Sequence, residues 1–203
     1  RPSALSRSCW KKILSPPAKR SRALFVLIID RETELLTVRR AEAKDVEAIV
    51  SICSDGWRQT YQDMLPQSYI EQVIADYYSL ERVAKECAEN TPYFHGYWVA
   101  VKDGQVLGCI GGGIDQENAG HIYVFYVRPE LKRQGVGTAL LKAFTAYQKS
   151  SYGIKEQWVS SLTEGNHIGQ AFYEKNGFVL DFVTDSQDPS HALRKFHLKR
   201  SVK

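Results

Sequence analysis

The stretch from Tyr126 to Thr138, reading YVRPELKRQGVGT, constrains this chain more than any other. Apolar strand-forming residues give way to Pro129. A loop carrying Lys132 and Arg133 comes next, and Gly135-Val136-Gly137 leads into an apolar helical pattern over 139–148. A strand–loop–helix unit of this kind points backbone N–H groups outward at the positive end of a helix dipole, which suits a pyrophosphate. Glycine is needed there because a side chain would block the approach of the phosphate. The pattern is not a Walker loop, which ends in Gly-Lys-Ser/Thr. Nor is it a full dinucleotide fingerprint, which needs a third glycine and a first-strand position.

The hydrophobic pattern around it alternates helix and strand periods. Residues 35–40 read as a first strand. Asp45 is placed to cap a helix that carries Val46, Ile49, Val50 and Cys53 on one face. Residues 57–65 read as an aromatic-rich connection, and Pro66 opens a second helix running through Ile70, Val73, Ile74, Tyr77, Leu80, Val83 and Cys87. Strands over 97–101 and 106–110 flank Asp103-Gly104, a hairpin signal, and Gly111-Gly112-Gly113 allows a bend or bulge. Further strands are expected over 121–127 and 157–162, helices over 139–148 and 169–175, and a closing antiparallel pair over 178–184 and 193–199. The order β-α-α-β-β-β-α-β-α-β-β describes a mixed α/β class, with helices packed against one sheet.

Composition narrows the function classes. The 203 residues are 43% hydrophobic and 25% charged, as in a globular chain. The net charge of +4 is carried by residues 1–34, which hold eight Lys/Arg against three Asp/Glu; residues 35–203 are close to neutral. No basic domain face for nucleic acid is therefore expected. Residues 1–34 are expected to form a disordered basic extension, and residues 35–203 a single domain. The four cysteines, Cys9, Cys53, Cys87 and Cys109, are scattered, which argues against a zinc site or a disulfide framework and suits a reducing, cytoplasmic setting. The apolar run 24–29 has six residues, while a membrane span needs about 20. No membrane association is expected.

A second motif begins about 30 residues after the first: Asn166-His167-Ile168-Gly169-Gln170-Ala171-Phe172-Tyr173-Glu174-Lys175-Asn176-Gly177-Phe178. Together the two resemble the GNAT acetyltransferase superfamily. Its (Gln/Arg)-x-x-Gly-x-(Gly/Ala) loop is matched by Lys132-x-x-Gly135-x-Gly137. Its Asn-x-x-Ala-x-x-(Phe/Leu)-Tyr-x-Lys-x-Gly-Phe helix is matched with Gly169 in the small-residue place. The resemblance covers about residues 36–185.

The resemblance implies a central, mostly antiparallel sheet whose fourth and fifth strands (121–127 and 157–162 here) splay apart. It implies acetyl-CoA as co-substrate, with no metal. The backbones of Phe125, Tyr126 and Val127 would run beside the pantetheine arm. Backbone N–H groups of Arg133, Gln134, Gly135, Val136, Gly137 and Thr138 would hold the pyrophosphate, and Asn166 would bond the arm. Tyr173 would protonate the departing thiolate, since a phenol of pKa about 10 can donate to a group of pKa about 8.5. Substrate contacts are expected from Trp57, Arg58 and Tyr61, and the aromatic pair Trp57 and Tyr61 can stack on a cationic amine. Gln187, Asp188 and His191 lie in the last loop as further candidates.

The general base stays open on sequence alone. Many relatives carry Glu where this chain has Ser161; others carry it on the fourth strand, where His121 stands. An imidazole of reference pKa about 6.5 is a suitable base. Glu117, Glu164 and a water relay are alternatives. The expected function is an N-acetyltransferase that acts by direct ternary-complex transfer on a primary amine of a small molecule or peptide, with a homodimer as a further expectation. Rival readings are another acyl-CoA donor on the same fold, a non-catalytic CoA-binding sensor, and a nucleic-acid binder acting through residues 1–34. Cys109 as a ping-pong nucleophile lacks a Cys–His constellation.

Overall fold

The computed structural model describes residues 25–27, 36–131, 134–186 and 193–203. One sheet of eight strands runs through it in the order β1-β2-β3-β4-β5-β6-β8-β7. The strands are β1 (Phe25–Leu27), β2 (Leu36–Arg40), β3 (Tyr97–Lys102), β4 (Gln105–Ile114), β5 (Gly120–Val127), β6 (Glu156–Thr163), β7 (Val179–Thr184) and β8 (Lys195–Ser201). Among the described residues only β5 and β6 pair in parallel; every other neighbouring pair is antiparallel. Helices α1 (Val46–Tyr61), α2 (Gln67–Tyr77), α3 (Leu80–Ala88), α4 (Val136–Tyr152) and α5 (His167–Lys175) complete the fold. The expected mixed sheet with flanking helices is what the chain forms.

Two cores sandwich the sheet. On one face, α4 and α5 bury Phe144, Leu140 and Tyr173 against Trp98, Ile110, Ile122 and Leu198. On the other, α1–α3 bury Ile49, Cys53, Ile70 and Val83 against Tyr97, Val99 and Cys109. Each fully buried aliphatic or aromatic side chain contributes roughly 1.5–3 kcal/mol. The Asp103-Gly104 hairpin forms as its sequence demands, with both residues at positive φ (52° and 75°).

Several elements differ from the sequence expectation. Phe25–Leu27, within the segment expected to be disordered, pairs antiparallel with β2 as an edge strand. The rest of residues 1–34, Cys9 included, lies outside the described residues. Asp45 does not cap α1. It ends a 3-10 turn, Ala43–Asp45, and its carboxylate accepts from the Glu42 N–H (2.8 Å) and from the Arg39 guanidinium (2.6 and 2.9 Å). The Arg39 partnership draws the carboxylate back onto β2 and away from the helix end. Helix α1 runs on through Trp57 to Tyr61, so these residues are helical rather than connecting. The single helix expected after Pro66 is two, because Ser79 leaves the helical path and its hydroxyl accepts the Arg82 N–H to start α3.

Candidate active site

The parallel pairing of β5 with β6 covers only Gly120–Ile122 against Gln157–Val159, and beyond it the strands part. Bulges on both strands accompany the parting. On β5, Tyr123 is an extra residue, since Gly111 faces Val124 while Gly112 faces Ile122. On β6, Ser160 and Ser161 together oppose the single His197 of β8. Bulges bend and twist a strand, which re-aims the residues beyond them. The gap becomes a cleft of about 980 Å³ lined by β5, β6, α5 and the ends of α1 and α4. Phe125, Tyr126 and Val127 line it, with their β6-side edge unpaired in the sheet.

At one end stands the N-terminus of α4. Gly135 precedes it at φ 83°, a left-handed turn that glycine adopts without strain. Ala139 makes the first intrahelical bond, to the Gly135 carbonyl at 2.9 Å. The N–H groups of Val136, Gly137 and Thr138 come before it and have no acceptor within the helix. Gly135, Gly137 and Thr138 line the cleft, while the Val136 side chain is buried in the core. The Gln134 N–H turns to the Leu131 carbonyl at 3.4 Å. Lys132 and Arg133 lie outside the described residues.

At the other end, Asn166 precedes α5, and its Oδ1 accepts the Gly169 N–H at 2.9 Å. Tyr173 packs among Phe125, Phe172 and Phe178, with ring centroids 5.3–6.2 Å away, and lines the cleft. Burial pushes its phenol above the ordinary value, and the neighbouring Tyr61 adds to the shift. A phenol so placed stays protonated and can donate. Tyr61 is itself raised by burial, an effect opposed by hydrogen bonding to the Thr163 and Asn166 side chains. Lys195 Nζ donates to Thr163 Oγ1 at 2.8 Å.

The remaining candidates divide. Trp57 and Tyr61 line the cleft, their rings 4.4 Å apart, and Trp57 Nε1 donates to Tyr78 Oη at 3.3 Å. Arg58 points away from the cleft and ties α1 to α2 by a forked bond to Glu71 (2.9 and 2.8 Å), with Asp55 at 3.5 Å. His121 sits beside the cleft, not in its lining. Its Nε2 meets Asp115 Oδ2 at 2.8 Å, and its Nδ1 meets Ser160 Oγ at 3.3 Å. Glu117 contributes only its backbone N–H, to Asp115, and Glu164 is held by Arg194 at 2.6 Å. Cys109 is fully buried against Cys53, with the sulfurs 3.5 Å apart, away from the cleft. Gln187, Asp188 and His191 lie outside the described residues. Sequence reasoning missed Tyr78, Thr163 and Lys195, which line the cleft only through strand pairing and helix packing, and Asp115 and Ser160, which meet His121 beside it.

The profile of the Acetyltransferase (GNAT) family matches residues 55–178, a span that includes both motifs and the cleft-lining end of α1. The chain belongs to the GNAT family. It is an N-acetyltransferase of that family by fold and motif alike. It is similar to the spermidine N(1)-acetyltransferase of Thermoplasma acidophilum, 27% identical over 154 residues that cover 75% of this chain and 93% of that protein. It is also similar to an uncharacterized N-acetyltransferase of Methanocaldococcus jannaschii, 28% identical over 79% of this chain and 92% of that one. Among solved structures, the PaiA N-acetyltransferase of Thermoplasma acidophilum, in complex with coenzyme A, superposes with a TM-score of 0.70. The identity is 25%, over 82% of this chain and 99% of that one. Among the described residues of this GNAT chain, no helix is long and apolar enough to cross a membrane.

Proposed function

We propose that this enzyme transfers the acetyl group of acetyl-CoA to a primary amine, polyamines first among the candidates, by direct attack in a ternary complex. The observation that carries the reading is the parting of β5 from β6 between two ends of different chemistry. One end is a helix N-terminus with spare N–H donors; the other is a protonated Tyr173. These residues fit the co-substrate: Gly135, Val136, Gly137 and Thr138 would hold its pyrophosphate, the open edge of Phe125–Val127 its amide-bearing arm, and Asn166 the same arm from α5. Bound there, acetyl-CoA supplies the thioester carbon. The chain's own groups do the rest. Backbone donors on the open edge of β5 polarise the carbonyl, Tyr173 gives its proton to the leaving sulfur, and His121 serves as the base for the amine. Trp57 and Tyr61 offer aromatic faces to a cation, and the named activity of the Thermoplasma relative supports a polyamine.

Calorimetric titration with acetyl-CoA, followed by a thiol-release assay on spermidine, other amines and short peptides, tests this. Micromolar binding with thiol release on an amine is expected. Binding with no release on any amine would mark a CoA-binding sensor, and no binding would overturn the reading. A homodimer is the expected assembly, supported by exposed Val179, Leu180 and Phe182 on edge strand β7, and light scattering of the purified chain tests it.

A further inference from the structure

We infer that a second cavity, on the outer face of α4, holds the 3′-phosphate at the nucleotide end of acetyl-CoA, and that Lys142 makes the chain select a phosphorylated ribose there. This subsite rests on the acetyl-CoA reading and adds to it a contact outside the cleft. The cavity has a volume of about 450 Å³ and lies between α4 and the end of β8. Its charged walls are all cationic. Lys142, Lys149, Arg200 and Lys203 line it, and among the described residues no carboxylate side chain does. Thr138 and Asn176 line both this cavity and the cleft, so the two meet beside the N-terminus of α4.

Arg200 gives the cavity a fixed charge. Its guanidinium is half-buried over the Phe178 ring, 4.6 Å from the centroid. Nε donates to Gln157 Oε1 at 3.1 Å, Nη1 to the Asn176 carbonyl at 2.9 Å, and Nη2 to Gln157 Oε1 and Thr145 Oγ1, both at 2.7 Å. Every one of these acceptors is neutral. They use four of the five N–H groups of the fork and leave one on Nη1. Burial lowers the guanidinium from its ordinary value, and no carboxylate acts against that. A guanidinium in a protein still keeps its charge, so an anion beside it offsets the cost of burying it. The acids nearest in the chain are engaged elsewhere. Glu156 accepts from Trp158 Nε1 at 3.0 Å, and Glu174 accepts from Gln170 Nε2 at 2.9 Å.

Lys142 supplies a second, adjustable charge. It is exposed and has no ion-pair partner among the described residues. It stands one turn after Thr138 on the same face of α4, about 6 Å further along the axis. Helical side chains lean toward the N-terminus, so Lys142 reaches back toward the N–H groups of Val136, Gly137 and Thr138. Those groups are the ones that would hold the pyrophosphate. In coenzyme A a single ribose separates the pyrophosphate from the 3′-phosphate, which brings the latter over the next turn of the helix. A flexible ammonium meets such a phosphate as a point charge. Lys149 is turned aside, because its Nζ donates to the Lys203 carbonyl at the far end of the cavity.

Calorimetric titration of the whole chain with acetyl-CoA and with its 3′-dephospho analogue tests this. The wild type should bind acetyl-CoA about tenfold or more tightly than the analogue, as expected for hydrogen bonds between charged groups. Lys142→Gln should bring that ratio below about threefold, and Lys142→Glu should abolish it. Lys85→Gln removes the same charge from exposed α3, on the opposite face of the sheet, and should keep the wild-type ratio. Adenosine 3′,5′-bisphosphate should displace acetyl-CoA from the wild type more strongly than adenosine 5′-phosphate does, a difference that shrinks in Lys142→Gln. Equal affinities of the wild type for acetyl-CoA and its analogue, a full ratio in Lys142→Gln, or an equal loss in Lys85→Gln would overturn the subsite and leave the acetyl-CoA reading in place. Binding of neither compound would overturn that reading and the subsite with it.

Discussion

A Cβ placed on Gly56 of α1 would stand 2.4 Å from Cδ1 of Tyr126 on β5. The helix lies on the strand at a distance that only a missing side chain permits, and Tyr126 lines the cleft. Gly56→Ala therefore sets two effects against each other. Helix propensity gains about 1 kcal/mol, while overpacking costs about 1–3 kcal/mol. The displaced ring has the cleft to move into. The expected result is no gain in Tm and a several-fold weaker affinity for acetyl-CoA, read by thermal denaturation and calorimetry. A higher Tm with unchanged affinity would refute it.

Tyr173→Phe removes the proton donor and keeps the ring among Phe125, Phe172 and Phe178. A fall in kcat of about 10²- to 10⁴-fold is expected, with acetyl-CoA binding nearly intact. The sign of the pH effect comes from the raised phenol. The acid form persists above the ordinary pKa of about 10, so Tyr173 imposes no loss of rate between about pH 7 and that value. A basic limb well below it that vanishes in the phenylalanine variant would contradict this.

Arg58 and Trp57 are neighbours in sequence and separate in role. Arg58 spends its guanidinium on Glu71 and Asp55, so Arg58→Ala should leave the acceptor KM within about twofold and lower Tm slightly, as expected for an exposed pair. Trp57→Ala removes a cleft wall and the bond to Tyr78, and should raise the acceptor KM at least tenfold. Steady-state kinetics on the same amine distinguishes the two.

Asp45 is nearly inaccessible and joined to Arg39. Burial raises its carboxyl, and the bonds from Arg39 and the Glu42 N–H bring it below the usual value. A depressed folded pKa contributes stability at pH above about 3.9, the unfolded value, and loses it as the pH falls through the folded one. Asp45→Asn should therefore lower stability by about 1.5–3 kcal/mol at neutral pH and flatten the acid side of the stability curve. Denaturant melts at pH 3 and pH 7 measure both.

The legible parts of this molecule are those that local chemistry dictates. Asp103-Gly104 could only turn, and the two motifs named the cleft's two ends, whereas Gly111-Gly112-Gly113 on β4 lies opposite a bulge whose extra residue, Tyr123, is on β5. The missed parts depend on competition at a distance. Asp45 sits where a helix cap belongs, but a guanidinium six residues earlier holds it elsewhere. The apolar period runs unbroken from Ile70 to Cys87, so nothing in it announces that Ser79 ends one helix and starts another. Gly56 and Trp57 look like the end of a helix, but their gap and ring fit the helix to the sheet. Asp115, His121 and Ser160 lie 6 and 39 residues apart, a spacing that means nothing until strands register.

The parting of β5 from β6 also has a thermodynamic side. A sheet normally hides its raw edges at its margins; this one carries such an edge in its middle, along Phe125–Val127. A small molecule lying there with amides of its own acts as a missing strand, and folding and loading become one equilibrium. At a hundred times its Kd, such a molecule would add about 2.7 kcal/mol to the fold. In a cell, the supply of co-substrate would then set not only how fast the protein works but how long it survives.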